Sequence, residues 1–177
     1  MERGGGSPQG RQGQQQNIFY KLANGDIPAK TVFENQLFRA ILDKEPATKG
    51  HTLILPKDEM QISPQLSPEH CAALAEAVKE VSGLLLQGLG AEGTNVFVAN
   101  GPEAGQNAPH VIVHVIPRSE NDGVGLQPKP KEIADDAFDE ARSRLEAALG
   151  VSDEPRPEPD SGADNDVDLD QVQNRFS

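Results

Sequence analysis

The chain has 177 residues and a formal net charge of −12, with 28 acidic against 16 basic side chains and a single cysteine, Cys71. That length fits one domain with spare residues at its ends, and the charge argues against sequence-independent binding to nucleic-acid backbones. One cysteine excludes an intrachain disulfide. The lack of an apolar run of roughly 18–20 residues, or of a signal-like core at the N-terminus, predicts a soluble, cytoplasmic protein without a membrane partner.

Residues 1–16 are rich in Gly and Gln and lack hydrophobic periodicity, which predicts a disordered arm. Ile18, Phe19 and Leu22 then predict the inner side of a short helix that Gly25 terminates. Asp26-Ile27-Pro28 turns the chain into strands expected near Thr31–Glu34, Phe38–Asp43 and Thr52–Pro56. Ser67-Pro68 is a helix opening, with serine as cap and proline in the first turn. Leu74, Val78, Val81 and Leu85 follow on one face of a helix ending near Gly88 or Gly90. In that helix Cys71 is expected to be a packing residue, His70 an exposed one, and Lys57 before it a solvated one.

Two further strands are expected at Asn95–Ala99 and His110–Pro117, joined by a loop that ends in Gly105-Gln106. In the second of these, alternation sends His110, Ile112 and His114 to one face and Val111, Val113 and Val115 to the other. Phe138, Ala141, Leu145 and Ala148 mark a C-terminal helix, with Asp135 and Asp136 suited to the positive end of its dipole. The order gives an α+β domain over 17–150 with an antiparallel sheet, a long helix and a C-terminal helix. Residues 151–177 carry eight acids against Arg156 and Arg175, half of the chain's net charge of −12, and predict an acidic disordered tail. Asp164 to Asp170 lacks the glycine and closing glutamate of a calcium loop, so it is read as part of that tail.

Two imidazoles flanking one position after a Gly-Gln loop suit a phosphate: backbone N–H groups bind it and the rings handle protons near neutral pH. His51, in Gly50-His51-Thr52-Leu53-Ile54-Leu55-Pro56-Lys57, adds a third imidazole. Taken singly, such a histidine reads rather as a satisfied core residue; the pair with the Gly-Gln loop and His51 shifts the balance towards a site.

Taken together, the motifs resemble the histidine triad (HIT) family from about Ile18 to Arg118. They are Ile18-Phe19-Tyr20-Lys21-Leu22, Gly25 to Lys30, Val32 to Asn35, Leu42-Asp43-Lys44, Lys49 to Lys57, Asn100-Gly101, Ala104-Gly105-Gln106 and Val115-Ile116-Pro117-Arg118. The resemblance implies a homodimer and a purine nucleotide pocket. In it Ile27 and Ile41, with Phe19 beside them, line the base slot and Asp43 takes the ribose hydroxyls. Asn100, Gly105, Gln106 and Asn107 surround the phosphates, His110 and His114 flank them and His51 supports. Arg118 either meets phosphate or pairs with an acid.

The middle residue of the family's His-φ-His-φ-His-φ-φ signature is the nucleophile that forms a nucleotidyl-histidine, and here that position is Ile112. An alkyl group cannot attack phosphorus. Zinc-bearing members carry a Cys-x-x-Cys pair where this chain has Asn17 and Tyr20, so neither a metal site nor a cofactor is expected. Two functions follow as expectations. One is a purine nucleotide-binding protein with weak or absent covalent nucleotidyl-transfer or hydrolase activity; the other is a phosphohydrolase acting on nucleoside phosphoramidates or dinucleoside polyphosphates, with His110 or His114 activating water.

Overall fold

The computed structural model describes residues 17–126 and 128–150. The expected arm at 1–16 and acidic tail at 151–177 lie outside these residues. Of the described residues, 17–126 form one compact unit and 128–150 belong to a second.

In the first unit, α1 (Ile18–Asn24) leads into β1 (Thr31–Glu34), β2 (Phe38–Leu42) and β3 (Thr52–Pro56), then α2 (Pro68–Leu89), β4 (Gly93–Val98) and β5 (Val113–Arg118). The five strands form one antiparallel sheet in the order β1-β2-β3-β5-β4. In the second unit, α3 (Asp135–Leu149) ends on Gly150 in the left-handed region, and its Phe138, Leu145 and Leu149 are exposed. Among the described residues the architecture is therefore α+β, with a five-stranded antiparallel sheet and three α-helices.

Each sheet face has its own apolar cluster. On one face Phe38, Ala40, Ile54, Val111, Val113 and Val115 pack with Ala77, Val81 and Leu85 of α2. On the other, Ile41, Leu53 and Leu55 pack with Ala23, and Phe19, Leu22, Ala29 and Ile112 close around them. The period-2 alternation of the strands produces this division: Ile41 and Leu53 are register partners, as are Leu53 and His114, so the rows on the second face run across three strands.

The α2 helix opens as its sequence dictates. Ser67 Oγ accepts from the His70 amide, Pro68 occupies the first turn and Gly90 closes the helix in the left-handed region. Its buried residues His70, Ala77, Val81 and Leu85 are spaced by seven, four and four, so Cys71 lies about 100° round the helix and is exposed rather than packed. His70 is buried, not solvated: it takes the core-facing position and its two ring nitrogens meet Ser67 Oγ at 2.8 Å and Asp58 Oδ2 at 3.1 Å. Lys57 is likewise tied down, by Asn35 O at 2.7 Å and Glu34 Oε1 at 2.8 Å.

Several expected elements differ in detail; β4 spans Gly93–Val98 rather than Asn95–Ala99. In α1, Ile18 is exposed and Ala23 is the buried residue, with Phe19 and Leu22 packed on the same cluster. The histidine strand begins at Val113, three residues later than expected. Before it the Val111 amide donates to Met60 O at 2.8 Å, so this stretch is held by a loop instead of a neighbouring strand.

Candidate functional site

The sheet face opposite α2 carries the polar residues of interest at one end of an apolar floor. Ile41, Leu53, Leu55 and Ile112 make the floor; Asp43, His51 and His114 stand at its edge. Each polar residue extends a row set by alternation: Ile41 to Asp43, Leu55 and Leu53 to His51, Ile112 to His114. Phe97, the register partner of His114 on β4, adds a ring 5.8 Å from that imidazole between centroids. Its place was not signalled by any motif; the exposed aromatic residue on the strand paired with the histidine strand was the available sign.

His51 is positioned by the loop before β3. Gly50 adopts φ 100°, which favours glycine, and a Cβ there would run into Leu89 Cδ1. Thr48 fixes the same loop through Oγ1, which donates to Pro117 O at 2.8 Å, while Thr48 O accepts from the His51 amide at 3.0 Å. The His51 ring then makes two contacts that assign its proton. The Ala47 amide donates to Nδ1 at 3.1 Å, so Nδ1 carries a lone pair; Nε2 holds the hydrogen and donates to His114 Nδ1 at 3.0 Å. By the same logic the hydrogen of His114 sits on Nε2.

Asp43 Oδ2 lies 3.4 Å from His51 Nδ1, while Asp43 Oδ1 accepts from the Glu45 amide at 3.0 Å. The carboxylate and the Ala47 amide make opposite demands on Nδ1. The shorter and directional amide bond sets the tautomer of the neutral ring, and burial favours the neutral ring by pushing the His51 pKa down against the pull of Asp43. Burial also lowers the pKa of His114, helped by the neighbouring His51 and opposed by Asp43.

His110 stands apart. Its ring is 1% exposed, and Nε2–H donates to Pro56 O at 3.1 Å. Among the described residues its Nδ1 is the buried side-chain polar atom without a hydrogen-bond partner. Burial is the main cause of its lowered pKa, with the Pro56 carbonyl and Glu59 acting against it. The contact pair is thus His51 with His114, not His110 with His114.

The loop residues are largely committed to the loop itself. Gln106 Oε1 accepts from the Gly101 amide at 2.7 Å, and its Nε2 donates to Gln61 O at 2.6 Å and Ala108 O at 2.9 Å. Asn100 Oδ1 accepts from the Ser63 amide at 2.8 Å. Gly105, at φ 90°, and Asn107 are exposed. Gln106 and Asn107 border an open cavity of about 360 Å³ with Gln61, Ile62, Gly101 and Pro102. Ile27 is half-buried and Ile41 fully buried in the floor. Of the two options for Arg118, pairing with an acid holds: Nε meets Asp122 Oδ2 at 2.6 Å. Asn17, at a position where zinc-bearing relatives are expected to have cysteine, caps α1 and donates from Nδ2 to Pro109 O at 2.9 Å.

Residues 24–121 match the HIT domain, and the chain belongs to the HIT family. It is 41% identical over 106 residues, 60% of this chain and 81% of the relative, to an uncharacterised HIT-like protein of Methanocaldococcus jannaschii. It is 39% identical over 110 residues, 62% of this chain and 80% of the relative, to the adenosine 5'-monophosphoramidase of Schizosaccharomyces pombe. Among solved structures, a HIT-family member from Bacillus subtilis superposes with a TM-score of 0.71 at 30% identity, covering 78% of this chain and 100% of the other. No helix among the described residues is long and apolar enough to cross a membrane.

Proposed function

We propose that the chain is a purine nucleotide-binding protein whose covalent nucleotidyl-transfer or hydrolase activity is weak or absent. The observation that carries this reading is Ile112, which occupies the nucleophile's place in the signature and packs on Ala23, Ile41, Leu53 and Leu55. That position supplies an apolar surface for a base or ribose and no lone pair for attack on phosphorus. Asp43 supplies an acceptor for ribose hydroxyls beside the floor. His114 offers Nε2–H as a donor to a phosphate oxygen, and the Asn107 amide is the loop's further donor, since the Gly105 and Gln106 amides donate to Pro102 O at 2.9 Å and Gly101 O at 3.1 Å.

The water-activating alternative is less well supported by the same atoms. A general base needs a free lone pair within reach of the water. His114 Nδ1 is occupied by His51, and the free lone pair of His110 is sealed from solvent. The printed activity of the S. pombe relative, an adenosine 5'-monophosphoramidase, names the substrate to try first.

The proposed assembly is a homodimer. The edge strand β4 exposes Val96, Phe97 and Val98, and α2 exposes Leu84, Leu86 and Leu89. A strand with one open edge and apolar side chains is a pairing surface.

The test is calorimetry with AMP together with AMP release from adenosine phosphoramidate. Saturable AMP binding with release no faster than in buffer supports the reading. Release at a rate that a catalytic site requires, abolished in His114→Gln, replaces it with the hydrolase. Sedimentation of the same samples reports the dimer.

A further inference from the structure

We propose that His51 and His114, backed by Asp43, bind a divalent transition metal of the zinc class. One ligand atom from each of the three residues lies within 4.8 Å of the other two. The two ring nitrogens that face each other, His51 Nε2 and His114 Nδ1, are 3.0 Å apart. Zinc holds imidazole nitrogen at about 2.0–2.1 Å, and tetrahedral geometry then separates two ligating nitrogens by roughly 3.3–3.4 Å. The rings therefore need to part by only a few tenths of an ångström, on the order of thermal displacement in a folded chain.

In the metal-free chain one hydrogen lies between the two nitrogens. The ion takes its place. His51 stays neutral by shifting that hydrogen from Nε2 to Nδ1, which gives up the Ala47 amide bond but turns an N–H toward Asp43 Oδ2, 3.4 Å away. The resulting order of carboxylate, imidazole and ion is the arrangement that fixes a ligating ring and raises its basicity. This also gives the close approach of Asp43 to a lone-pair-bearing Nδ1, an unfavourable contact in the metal-free state, a use in the bound one. The Asp43 charge offsets part of the ion's, and each ring ligates through a nitrogen lone pair.

Two protein nitrogens leave coordination positions for water or for a phosphate oxygen at the edge of the floor. The phosphate part rests on the nucleotide reading above; the ion site does not. The site uses neither Asn17 nor Tyr20, and the residues Asp43, His51 and His114 are too widely spaced along the chain to form a recognisable metal motif.

The experiment uses the full chain, stripped with a chelator, and titrates Zn2+ alone by calorimetry, with Co2+ as a visible-absorption probe of ligand field. The expected result is one ion per chain, with tenfold or greater loss in His114→Gln and in His51→Gln. Asp43→Asn should lose about 10–100-fold, the usual effect of removing the carboxylate behind a ligating ring. Cys71→Ser should bind as the wild type does, although Cys71 is an exposed thiol and the competing zinc ligand. Circular dichroism on each variant, and His114→Asn as a second replacement, separate lost ligation from lost folding. Absence of one-to-one binding overturns the proposal, as does binding that survives in folded His114→Gln and His114→Asn or vanishes in Cys71→Ser. AMP is titrated separately with and without zinc, so failure to bind AMP strikes the nucleotide reading and leaves the zinc result standing.

Discussion

His51 Nε2 and His114 Nδ1 lie 3.0 Å apart across the β3–β5 pair, and the Ala47 amide on the far side of His51 decides which of them holds the hydrogen. A backbone N–H can only donate, so the chain of bonds runs from Ala47 through His51 to His114 and leaves a donor at His114 Nε2. Long-range 1H–15N spectra of the metal-free chain at pH 7.5 should show both rings neutral and protonated at Nε2. A His114 ring protonated at Nδ1 would reverse the direction of the chain and return His114 to the role of base.

Asp43 gives the second prediction. Its carboxylate is part-exposed at the edge of the floor, with Oδ1 on the Glu45 amide and Oδ2 beside His51. Removing a hydrogen bond to a charged group typically costs about 1.5–3 kcal/mol, so Asp43→Ala should weaken AMP binding by roughly 10–150-fold. Calorimetry under metal-free conditions measures this directly. Equal affinity in the two proteins would remove Asp43 from the nucleotide site, and no heat at millimolar AMP would remove the site.

His110 ties stability to pH. Burial lowers its pKa below the ordinary imidazole value in the folded chain, so the unfolded chain takes up a proton first as the pH falls. Its contribution is complete above the unfolded value and is lost as pH falls from there towards the folded one. The wild type should therefore melt at a lower temperature at pH 5.5 than at pH 7.5. His110→Leu should narrow that difference, whatever its effect on the melting temperature at pH 7.5. An unchanged difference would show that His110 does not sense pH in this range.

The fourth prediction concerns the start of α2. Ser67 Oγ both accepts from the His70 amide and meets His70 Nδ1, and His70 Nε2 reaches Asp58. Loss of a serine cap typically costs about 0.5–2 kcal/mol, and here the buried imidazole loses a partner as well. Ser67→Ala should fall at the upper part of that range in urea unfolding, with AMP binding unchanged. A loss below the range would mean that water replaces the hydroxyl at both contacts.

Periodicity and punctuation made the elements legible: the 74, 78, 81 and 85 spacing placed α2, and Ser67-Pro68 and Gly90 placed its ends. The alternation of Val111, Val113 and Val115 against Ile112 and His114 correctly separated the two sheet faces. What alternation could not give was depth along the strand. His110 has the parity of His114, yet it lies outside the ladder and turns to the Pro56 carbonyl, because the loop from Met60 holds that part of the chain. The partnership of His51 with His114 depends on register between β3 and β5, which is a long-range property that no local pattern encodes. Gln106 and Asn100 show the same limit: their side chains staple loops to one another across 45 and 37 residues of sequence. The helical position of His70 was readable, but whether it faced the core depended on where the sheet lay.

The last prediction tests whether Ile112 is what restrains the chemistry. It lies between His110 and His114 in sequence, packed on the floor formed by Ile41, Leu53 and Leu55. His110 is buried and His114 is two residues further along, about 6.6 Å at the usual strand rise, so neither can adopt the geometry of a nucleophile at residue 112 unaltered. Ile112→His should therefore create or raise AMP release from adenosine phosphoramidate and allow an AMP–protein adduct to be trapped by quenching without acid and detected by mass spectrometry. The substitution brings a polar ring onto an apolar floor, so a lower melting temperature is expected alongside the gain. Two outcomes refute the argument: an adduct on a histidine of the wild-type chain, or a folded, AMP-binding Ile112→His protein with no gain. The first would mean another histidine attacks phosphorus, the second that the orientation of His51 and His114, not the missing nucleophile, limits the reaction.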